Sequence, residues 1–452
     1  MRNGSSVSLA YMEPKLDTGD TAWLLVSCAL VLLMTPALAL FYGGMVRRKN
    51  VLSTIMHSMV AIPIVSIVWA LVGFSLAFAP SHGGLIGGLD YVGLKGLVGQ
   101  LQVGELKLTV PALAFAAFQM MFAVITPALI SGAFAERIKF SAYCTLVALW
   151  SLLVYVPVAH WVWNPGGWLF KLGALDFAGG TVVHATAGAS ALVCALVIGA
   201  RDGYPTKKAL PHNLTMTMTG AGILWFGWFG FNAGSAITAG DLASVAFMAT
   251  HLGAAGGSVG WVVVETAHRG KATALGCASG LVAGLVAITP AAGFVTPLAS
   301  IVIGFLGGGL CYAGVLLKDK LRYDDSLDAF GVHGVGGIFG ALITGVFATK
   351  AVNAAGQDGL LYGNPGQLKT QFIAVSVSVL YAVVVTYVIL KVIDATMGLR
   401  VDRNDEIEGL DSVIHGEEGY AMASTAVSEA RPEDDEDEAP VRSPSLVPLL
   451  AK

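Results

Sequence analysis

The sequence predicts an all-α polytopic membrane protein with eleven transmembrane helices, arranged as an inverted five-plus-five repeat plus one helix. Three observations carry this prediction. The 452-residue chain is 55% hydrophobic and only 12% charged, whereas soluble domains carry about 25% charged residues. Apolar runs of about 20 residues, long enough to cross a bilayer, recur along the chain. Two histidines, His184 and His333, lie in matching settings inside such runs.

The apolar runs give the predicted helices in chain order. The polar first 20 residues lack the basic start and short apolar core of a secretory signal, so the first run is interpreted as a transmembrane helix. An odd number of helices places the two termini on opposite sides of the membrane. The eleven predicted spans are 22–42, 52–79, 109–133, 140–159, 181–199, 212–236, 242–266, 272–289, 295–317, 331–350 and 370–396.

Loop charges predict the orientation, because cytoplasmic loops carry an excess of lysine and arginine. Basic residues concentrate in alternate short loops of this chain, which places the N-terminus outside and the C-terminus inside. This pattern is typical of a multi-pass protein of the cell (cytoplasmic) membrane. The basic residues of these loops are Arg47, Arg48, Lys49, Arg137, Lys139, Arg201, Lys207, Lys208, Arg269, Lys271, Lys318, Lys320 and Arg322.

Composition divides the chain into four parts. Residues 1–20 are predicted to be an extracytoplasmic N-terminal segment, and residues 21–397 the transmembrane domain. Residues 398–420 are polar and are predicted to be a cytoplasmic C-terminal regulatory segment. Residues 421–452 carry an acidic run at 433–438, and such a composition buries too little apolar surface to fold, so this tail is predicted to be disordered.

The two histidines predict a pore between duplicated halves. Each follows a valine, each has a glycine four residues later, and each has an aspartate, Asp176 or Asp325, eight residues before it. Ionisable side chains are costly in hydrocarbon and usually mark a pathway. Two adjacent imidazolium cations would repel, so the pair is expected to stay largely neutral and to favour a neutral or proton-relaying path over a bare cation.

Two other interpretations of the histidine pair remain open. A membrane histidine is often a hydrogen-bonded contact between helices, and a pair could also ligate haem. Haem ligation is disfavoured because the remaining histidines are expected near loops or span ends. These are His57, His160, His212, His251 and His268.

Aromatic residues and small polar groups recur near the predicted outer ends of three spans. An aromatic face attracts a small cation, and a serine hydroxyl can accept a hydrogen bond from it. The alternative interpretation is an interfacial aromatic belt with core packing. The residues concerned are Phe118, Gln119 and Phe122 on the third span, Trp163 after the fourth, and Phe231 and Ser235 at the end of the sixth.

Asp176 precedes the fifth predicted span by a few residues. A carboxylate at this position is a good N-terminal cap, because its oxygens accept free backbone N–H groups. The functional alternative is that Asp176 shapes the electric field at an external cation site.

Five segments of the chain resemble the Amt/Mep/Rh family of ammonium transporters, and specifically its bacterial and archaeal Amt branch. The resemblance extends from about Asp20 to Tyr420. The segments are FYGGMVRRKN at 41–50, GAFAER at 132–137, DFAGGTVVH at 176–184, WFGFNAGS at 228–235 and DAFGVHG at 328–334.

The resemblance implies a homotrimer with one pore in each subunit, and it implies a role for each candidate residue. Trp163, Phe122 and Ser235 resemble the outer ammonium recruitment site, which Phe118 and Gln119 line. Phe122 and Phe231 resemble the phenyl gate, His184 and His333 resemble the twin-histidine pair of the pore and proton relay, and Asp176 resembles the aspartate near the outer opening.

The resemblance also implies an activity and partners. It implies transport of ammonium or ammonia, electrogenic, by recruitment and deprotonation at the outer site and passage along an apolar pore. Segment 409–420 resembles the family's C-terminal segment, which packs under neighbouring subunits where a PII-type signalling protein binds. No enzyme activity, cofactor, metal or nucleic-acid partner is expected. Two alternatives remain, an ammonium sensor and an electroneutral ammonia channel. The sensor is disfavoured because no output domain is recognised after residue 420.

Overall fold

The computed structural model describes residues 15–206 and 209–420, and these residues are mostly helical. Within them, nine helical segments are long and apolar enough to cross a membrane. Leucine, valine and phenylalanine side chains remain exposed along these segments, as expected for surfaces that face lipid. The nine segments are Thr18–Met45, Arg48–Phe78, Ala112–Ala133, Phe140–Leu172, Gly180–Ile198, Asp241–Arg269, Pro297–Leu321, Phe330–Phe347 and Pro365–Met397.

Two further helices coincide with the remaining predicted spans. Leu214–Gly234 has 21 residues, among which three threonines and five glycines lower the apolar content. Ala274–Ile288 has 15 residues, about 22 Å at 1.5 Å per residue, which is shorter than the ~30 Å hydrocarbon core.

The α-helices are numbered in chain order, and short π-helical turns interrupt or begin several of them. The π-helical turns are Trp69–Gly73, Ser151–Tyr155, Gly180–Ala185, Phe330–Gly334 and Asp411–His415, and the 3-10 turns are Arg48–Asn50, Val92–Leu94, Ser131–Ala133 and Leu360–Tyr362. The α-helices are α1 (Thr18–Met45), α2 (Val51–Val68), α3 (Phe74–Phe78), α4 (Ala112–Ile130), α5 (Phe140–Trp150), α6 (Val156–Trp163), α7 (Trp168–Leu172), α8 (Thr186–Ile198), α9 (Leu214–Gly234), α10 (Asp241–Arg269), α11 (Ala274–Ile288), α12 (Pro297–Leu321), α13 (Val335–Phe347), α14 (Pro365–Met397) and α15 (Arg403–Glu408).

The helices pack through small residues where their backbones approach. A Cβ atom placed at Gly304 of α12 would lie 2.1 Å from the carbonyl oxygen of Gly253 in α10, and one at Gly308 would lie 2.1 Å from that of Gly257. This four-residue spacing of small residues is a common solution in membranes, where close backbone contact replaces the hydrophobic effect.

The two ends of the helix bundle carry different loops. At one end, here called the N-terminal face, the Asp17 amide before α1 donates to the Thr109 carbonyl at 2.8 Å. The long loop at this face holds two short antiparallel hairpins, β1 (Ser81–His82) with β2 (Ile86–Gly87), and β3 (Gln102–Val103) with β4 (Leu106–Lys107).

The opposite end, the C-terminal face, holds the segment that follows α14. The Asp411 carboxylate there accepts hydrogen bonds from the Leu52 and Ser53 amides, at 3.0 and 2.8 Å, and so caps the start of α2. The Leu410 amide donates to Asn50 Oδ1 at 2.8 Å. The C-terminal segment is therefore fixed to its own helix bundle. The predicted disordered tail 421–452 lies outside the described residues.

Candidate functional site

A row of aromatic rings leads from the N-terminal face toward the first histidine. Phe118 and Phe122, four residues apart on one face of α4, have ring centroids 5.0 Å apart. The half-buried Trp163 meets Phe122 edge-on at 5.9 Å. The Phe231 ring of α9 lies 4.2 Å from Phe122 at an angle of 31° and 6.0 Å from His184. These residues, far apart in sequence, form one continuous row.

The two histidines lie side by side at the end of this row. The ring centroids of His184 and His333 are 5.3 Å apart and the ring planes differ by 14°. Both rings are buried. Neither nitrogen of His184, nor Nδ1 of His333, has a hydrogen-bond partner among the described residues, so the two rings are not bonded to each other. Each histidine lies on a π-helical turn, a feature that often occurs at functional sites.

An aspartate caps each of these π-helical turns. The two oxygens of Asp176 accept hydrogen bonds from four successive backbone amides, those of residues 179–182, at 2.6–3.0 Å. Asp325 accepts from the Ala329 and Phe330 amides at 3.0 and 2.8 Å. The geometry of Asp176 is that of a cap, which orients the turn carrying His184.

The glycines four residues after each histidine allow the two histidine-bearing helices to cross in close contact. A Cβ atom at Gly188 would lie 2.1 Å from the Gly334 amide nitrogen, and a Cβ atom at Gly337 would lie 2.6 Å from the Ala185 amide nitrogen. Any side chain at either position would push the helices apart, and the histidines with them.

Two small cavities lie along the row of rings. The first, of about 10 Å³, is lined by ten apolar or aromatic side chains, including Phe231, and by both histidines. The second, of about 20 Å³, is lined by His333 and by Asp328 on the side of the C-terminal face. Such volumes hold about one water-sized molecule each. His333 and Phe41 line both cavities and are therefore shared by their walls.

Polar groups surround the outer end of the row. Trp163 Nε1 donates to the Asp176 carbonyl at 3.0 Å, which links the indole to the capped turn. The Ser235 hydroxyl donates to the Phe231 carbonyl at 2.8 Å, which leaves its lone pairs free to accept from a ligand. Gln119 Oε1 is buried and has no partner among the described residues, so it offers a second acceptor.

The structure adds two residues that the sequence reasoning did not place in the site. Trp228 stacks on His184 at 5.4 Å with an interplanar angle of 20°, and its Nε1 donates to Thr289 Oγ1 at 2.9 Å. The position of Trp228 one helical turn before Phe231 was a usable signal, because residues three apart share a helix face. Nothing in the sequence pairs it with Thr289, 61 residues away.

A buried charge network lies at the C-terminal face, and the sequence analysis does not predict it. The Glu136 carboxylate accepts from Arg47 Nε, Arg201 Nη1 and Asn50 Nδ2, each at 2.9 Å. Arg201 also donates to Asp324 at 2.7 Å. Asp324 adjoins Asp325, so the network reaches the cap of the turn that carries His333.

The electrostatics of this network keep its carboxylates ionised. Burial alone would raise the pKa of Glu136, but the charges of Arg201 and Arg47, with the hydrogen bonds from Arg47 and Asn50, lower it overall. Burial would also raise the pKa of Asp324, but the hydrogen bonds and the charge of Arg201 outweigh burial, so the pKa of Asp324 is lowered as well. Glu136 has a backbone φ of 74°, a strained conformation for a non-glycine residue.

The expectation that the remaining histidines lie near loops or span ends is wrong for His251. This residue lies ten residues into the 29-residue α10 and is exposed on the outer surface of the chain. His57 is buried in α2 between Tyr143, Phe134 and Phe140. Haem ligation by the central pair finds no support, because a cavity of about 10 Å³ beside closely crossing helices leaves no room for a macrocycle.

The fold and the site together define a class of protein. Long apolar helices enclose a narrow row of aromatic and histidine side chains that runs between the two faces, which is typical of a membrane channel or transporter for a very small solute. The model of the Ammonium Transporter Family matches residues 22–420. The chain belongs to this family and is a multi-pass membrane protein.

Individual relatives agree with this assignment. An ammonium transporter of Bacillus subtilis is 53% identical over 407 residues, which cover 90% of this chain and 99% of the relative. Ammonium transporter Amt1 of Archaeoglobus fulgidus is 45% identical over 405 residues, covering 90% and 100%. Among solved structures, Saccharomyces cerevisiae Mep2 has a TM-score of 0.81 at 38% identity, covering 86% of this chain and 89% of that chain. A structure described as a sensor Amt protein has a TM-score of 0.80 at 30% identity, covering 87% and 97%.

Proposed function

We propose that this protein moves ammonium nitrogen across the cytoplasmic membrane by recruiting ammonium at the N-terminal face and passing ammonia along the histidine-lined row. The observation that carries the proposal is the unbroken row of Trp163, Phe122, Phe231, His184 and His333. The last three of these residues line a cavity that fits one water-sized molecule. Membership of the ammonium transporter family supports the choice of substrate.

Recruitment requires that the outer site select a small cation that donates hydrogen bonds. The faces of Trp163 and Phe122 attract a cation within about 6 Å, and the lone pairs of Ser235 and Gln119 Oε1 accept its N–H groups. Potassium is similar in size but donates no hydrogen bond, so these acceptors favour ammonium. Phe118 completes the aromatic wall, and the capped turn of Asp176 fixes the indole of Trp163.

Passage requires that the substrate lose its charge. The rings of Phe122 and Phe231 close the row at 4.2 Å, so they act as a gate whose rings rotate to admit a molecule. Beyond them the cavity is apolar, and an ion in such a space pays a large desolvation penalty. Ammonium can leave its proton behind and enter as ammonia, whereas potassium cannot.

The histidine pair supplies the polar partners of the neutral molecule. The unpartnered nitrogens of His184 and His333 line the cavity, where ammonia can both donate and accept a hydrogen bond with a neutral imidazole. A proton relayed along the same pair gives net charge movement, so we propose that transport is electrogenic.

The proposed topology has eleven transmembrane helices, with the C-terminal face in the cytoplasm. Supporting it, α9 and α11 fill the two spans that the other nine helical segments leave, and the loops with the predicted basic excess belong to the C-terminal face. The excess of lysine and arginine is typical of cytoplasmic loops.

We propose that the chain forms a homotrimer, and that a PII-type signalling protein binds at the C-terminal face. The exposed His251, midway along α10, supports a subunit contact, because an ionisable side chain facing lipid at that depth is costly. The fixed C-terminal segment offers an ordered surface to a cytoplasmic partner.

Solid-supported-membrane electrophysiology on proteoliposomes tests the proposal. A transient current with ammonium and none with potassium is expected. His184→Ala and His333→Ala variants should each lose current or lose selectivity, while His82→Ala, in the exposed hairpin, should match the wild type. Wild-type ammonium uptake and selectivity in both pore variants would contradict the proposed role of the pair.

The same measurement separates the alternatives. The likeness to a sensor Amt protein makes binding without transport the second candidate. Silence with ammonium in a folded protein excludes the electrogenic mechanism. Ammonia flux, followed by a pH-sensitive dye inside the proteoliposomes, would then indicate an electroneutral channel, and its absence would indicate a sensor.

A further inference from the structure

A cavity of about 650 Å³ opens at the C-terminal face and shares no lining residue with the two cavities beside the histidines. Small-molecule sites usually have volumes of about 300–1,000 Å³. The cavity lies between the loops that follow α1, α8 and α12 and the short helix α15. Its charged lining residues are Arg47, Lys49, Arg201, Lys318, Asp202, Asp319 and Glu406.

Two of the carboxylates in the wall are neutralised by arginines that do not line the cavity. Glu406 is buried and accepts from Arg400 at 2.7 Å. Asp202 pairs with Arg403 at 2.8 Å. The third carboxylate, Asp319, is exposed to solvent. The wall therefore presents one carboxylate without a salt bridge among the described residues, that of Asp319, and this carboxylate is exposed to screening by water.

The cations of the wall are less completely paired. Arg47 shares the single carboxylate of Glu136 with Arg201, and its Nη2 is buried without a hydrogen-bond partner among the described residues. The ammonium group of Lys49 donates to the carbonyls of Ile407 and Glu406, and the described part of the chain gives it no salt bridge. Two neighbouring cations thus lack a full counter-charge.

We propose that this cavity binds a small phosphate-bearing anion between Arg47 and Lys49. A guanidinium group donates to phosphate oxygens in a planar fork, and a lysine adds a compact charge, so the two together favour phosphate over a carboxylate. Tyr204 and Pro205 of the wall offer surface for an organic group attached to the phosphate. The inference concerns a site apart from the histidine row and holds whichever transport mechanism applies.

Calorimetric titration of the purified full-length protein with pyrophosphate and with adenosine triphosphate tests the proposal. Saturable binding is expected, and Arg47→Gln and Lys49→Gln should each weaken it by about tenfold or more, since each removes a charge-assisted contact. The matched control Lys271→Gln, in an exposed loop of the same face outside the cavity, should bind as the wild type does.

A second arm distinguishes free phosphate compounds from lipid headgroups. The titrations are repeated in nanodiscs of phosphatidylcholine with and without phosphatidic acid. If phosphatidic acid abolishes binding of the soluble probes to the wild type but leaves the weaker binding to Arg47→Gln unchanged, the occupant is a lipid headgroup. Binding unaffected by phosphatidic acid identifies a soluble anion. Both results support a phosphate site at Arg47 and Lys49.

A measurement on the wild type guards against misfolded variants. Amine-reactive labelling of Lys49 and Lys271 is compared by mass spectrometry with and without pyrophosphate. Protection of Lys49 alone supports the site. Absence of saturable binding of every probe, equal binding by all variants, or unchanged labelling of Lys49 in the presence of pyrophosphate overturns it.

Discussion

Gly188→Ala should separate the two histidines by forcing apart the helices that carry them. The added Cβ atom would lie 2.1 Å from the backbone nitrogen of Gly334 and 2.2 Å from its Cα. Ordinary carbon contacts begin near 3.5 Å, so α8 and the π-helical turn Phe330–Gly334 must move apart by about 1 Å or more. Because the obstacle is backbone, no rotamer change relieves it, and we expect a cost of about 3 kcal/mol, the upper end of the usual range for overpacking.

The matched control is Gly222→Ala, since a Cβ atom at Gly222 of α9 meets nothing within 4 Å. Alanine at an open helical position is favoured over glycine by about 1 kcal/mol, so this variant should be as stable as the wild type or more so. Thermal unfolding in detergent and ammonium-evoked current measure the two effects. A wild-type melting temperature and current in Gly188→Ala would refute the inference that this crossing sets the spacing of His184 and His333.

Three further variants test other parts of the structure. Phe231→Ala removes the ring 4.2 Å from Phe122, so potassium current should appear beside ammonium current; unchanged selectivity would argue against a gate there. Thr289→Val leaves the buried Nε1 of Trp228 without an acceptor at a cost of about 1–3 kcal/mol, which should lower both melting temperature and current, and Thr289→Ser should restore them; a wild-type Thr289→Val variant would show that this bond does not position the indole. Glu136→Gln removes a buried counter-charge and should destabilise the protein by about 3–5 kcal/mol at pH 7. Because the pKa of Glu136 is lowered in the fold, its stabilisation is complete above the unfolded value of about 4.3 and is lost as the pH falls through the lower folded value. The stability difference from the wild type should therefore persist from pH 7 to 5 and shrink only in stronger acid, and a difference that vanishes by pH 5 would contradict the assignment.

The helices could be predicted because bilayer thickness imposes a length on each apolar run. The predicted span 242–266 lies inside α10, and the predicted span 181–199 ends one residue beyond α8. The π-helical turns have no comparable signature in the apolar pattern. Asp176 was recognised as a candidate cap, but the four amides it binds follow only from the folded turn.

The candidate site could be predicted where one short segment carries the signal, and not where distant segments must meet. His184 and His333 are conspicuous because each is a lone ionisable residue in an apolar run. The partners of Glu136 are Arg47 and Arg201, which approach it from separate loops. Each of these residues has the appearance of an ordinary loop charge, so the buried network emerges only from the fold.

The contacts around the histidines support the predicted inverted repeat. His184 and His333 are 149 residues apart, and the same offset relates Asp176 to Asp325 and Gly188 to Gly337. The same offset relates Gly188 to Gly337 and Ala185 to Gly334. The contact of Gly188 with Gly334 therefore corresponds to the contact of Gly337 with Ala185, and both contacts are present.

The two related helices run in opposite directions through the bundle. The loop before α8 starts at Asn164, which donates to the Ala79 carbonyl at the N-terminal face. The loop before α13 includes Asp324, which pairs with Arg201 at the C-terminal face. A two-fold rotation that exchanges two oppositely directed helices must have its axis perpendicular to the helices. This axis lies in the plane of a surrounding membrane. Residues that make this crossing are held by backbone geometry, whereas helix surfaces that face lipid need only remain apolar, so an inverted repeat is expected to leave its clearest signature at this crossing.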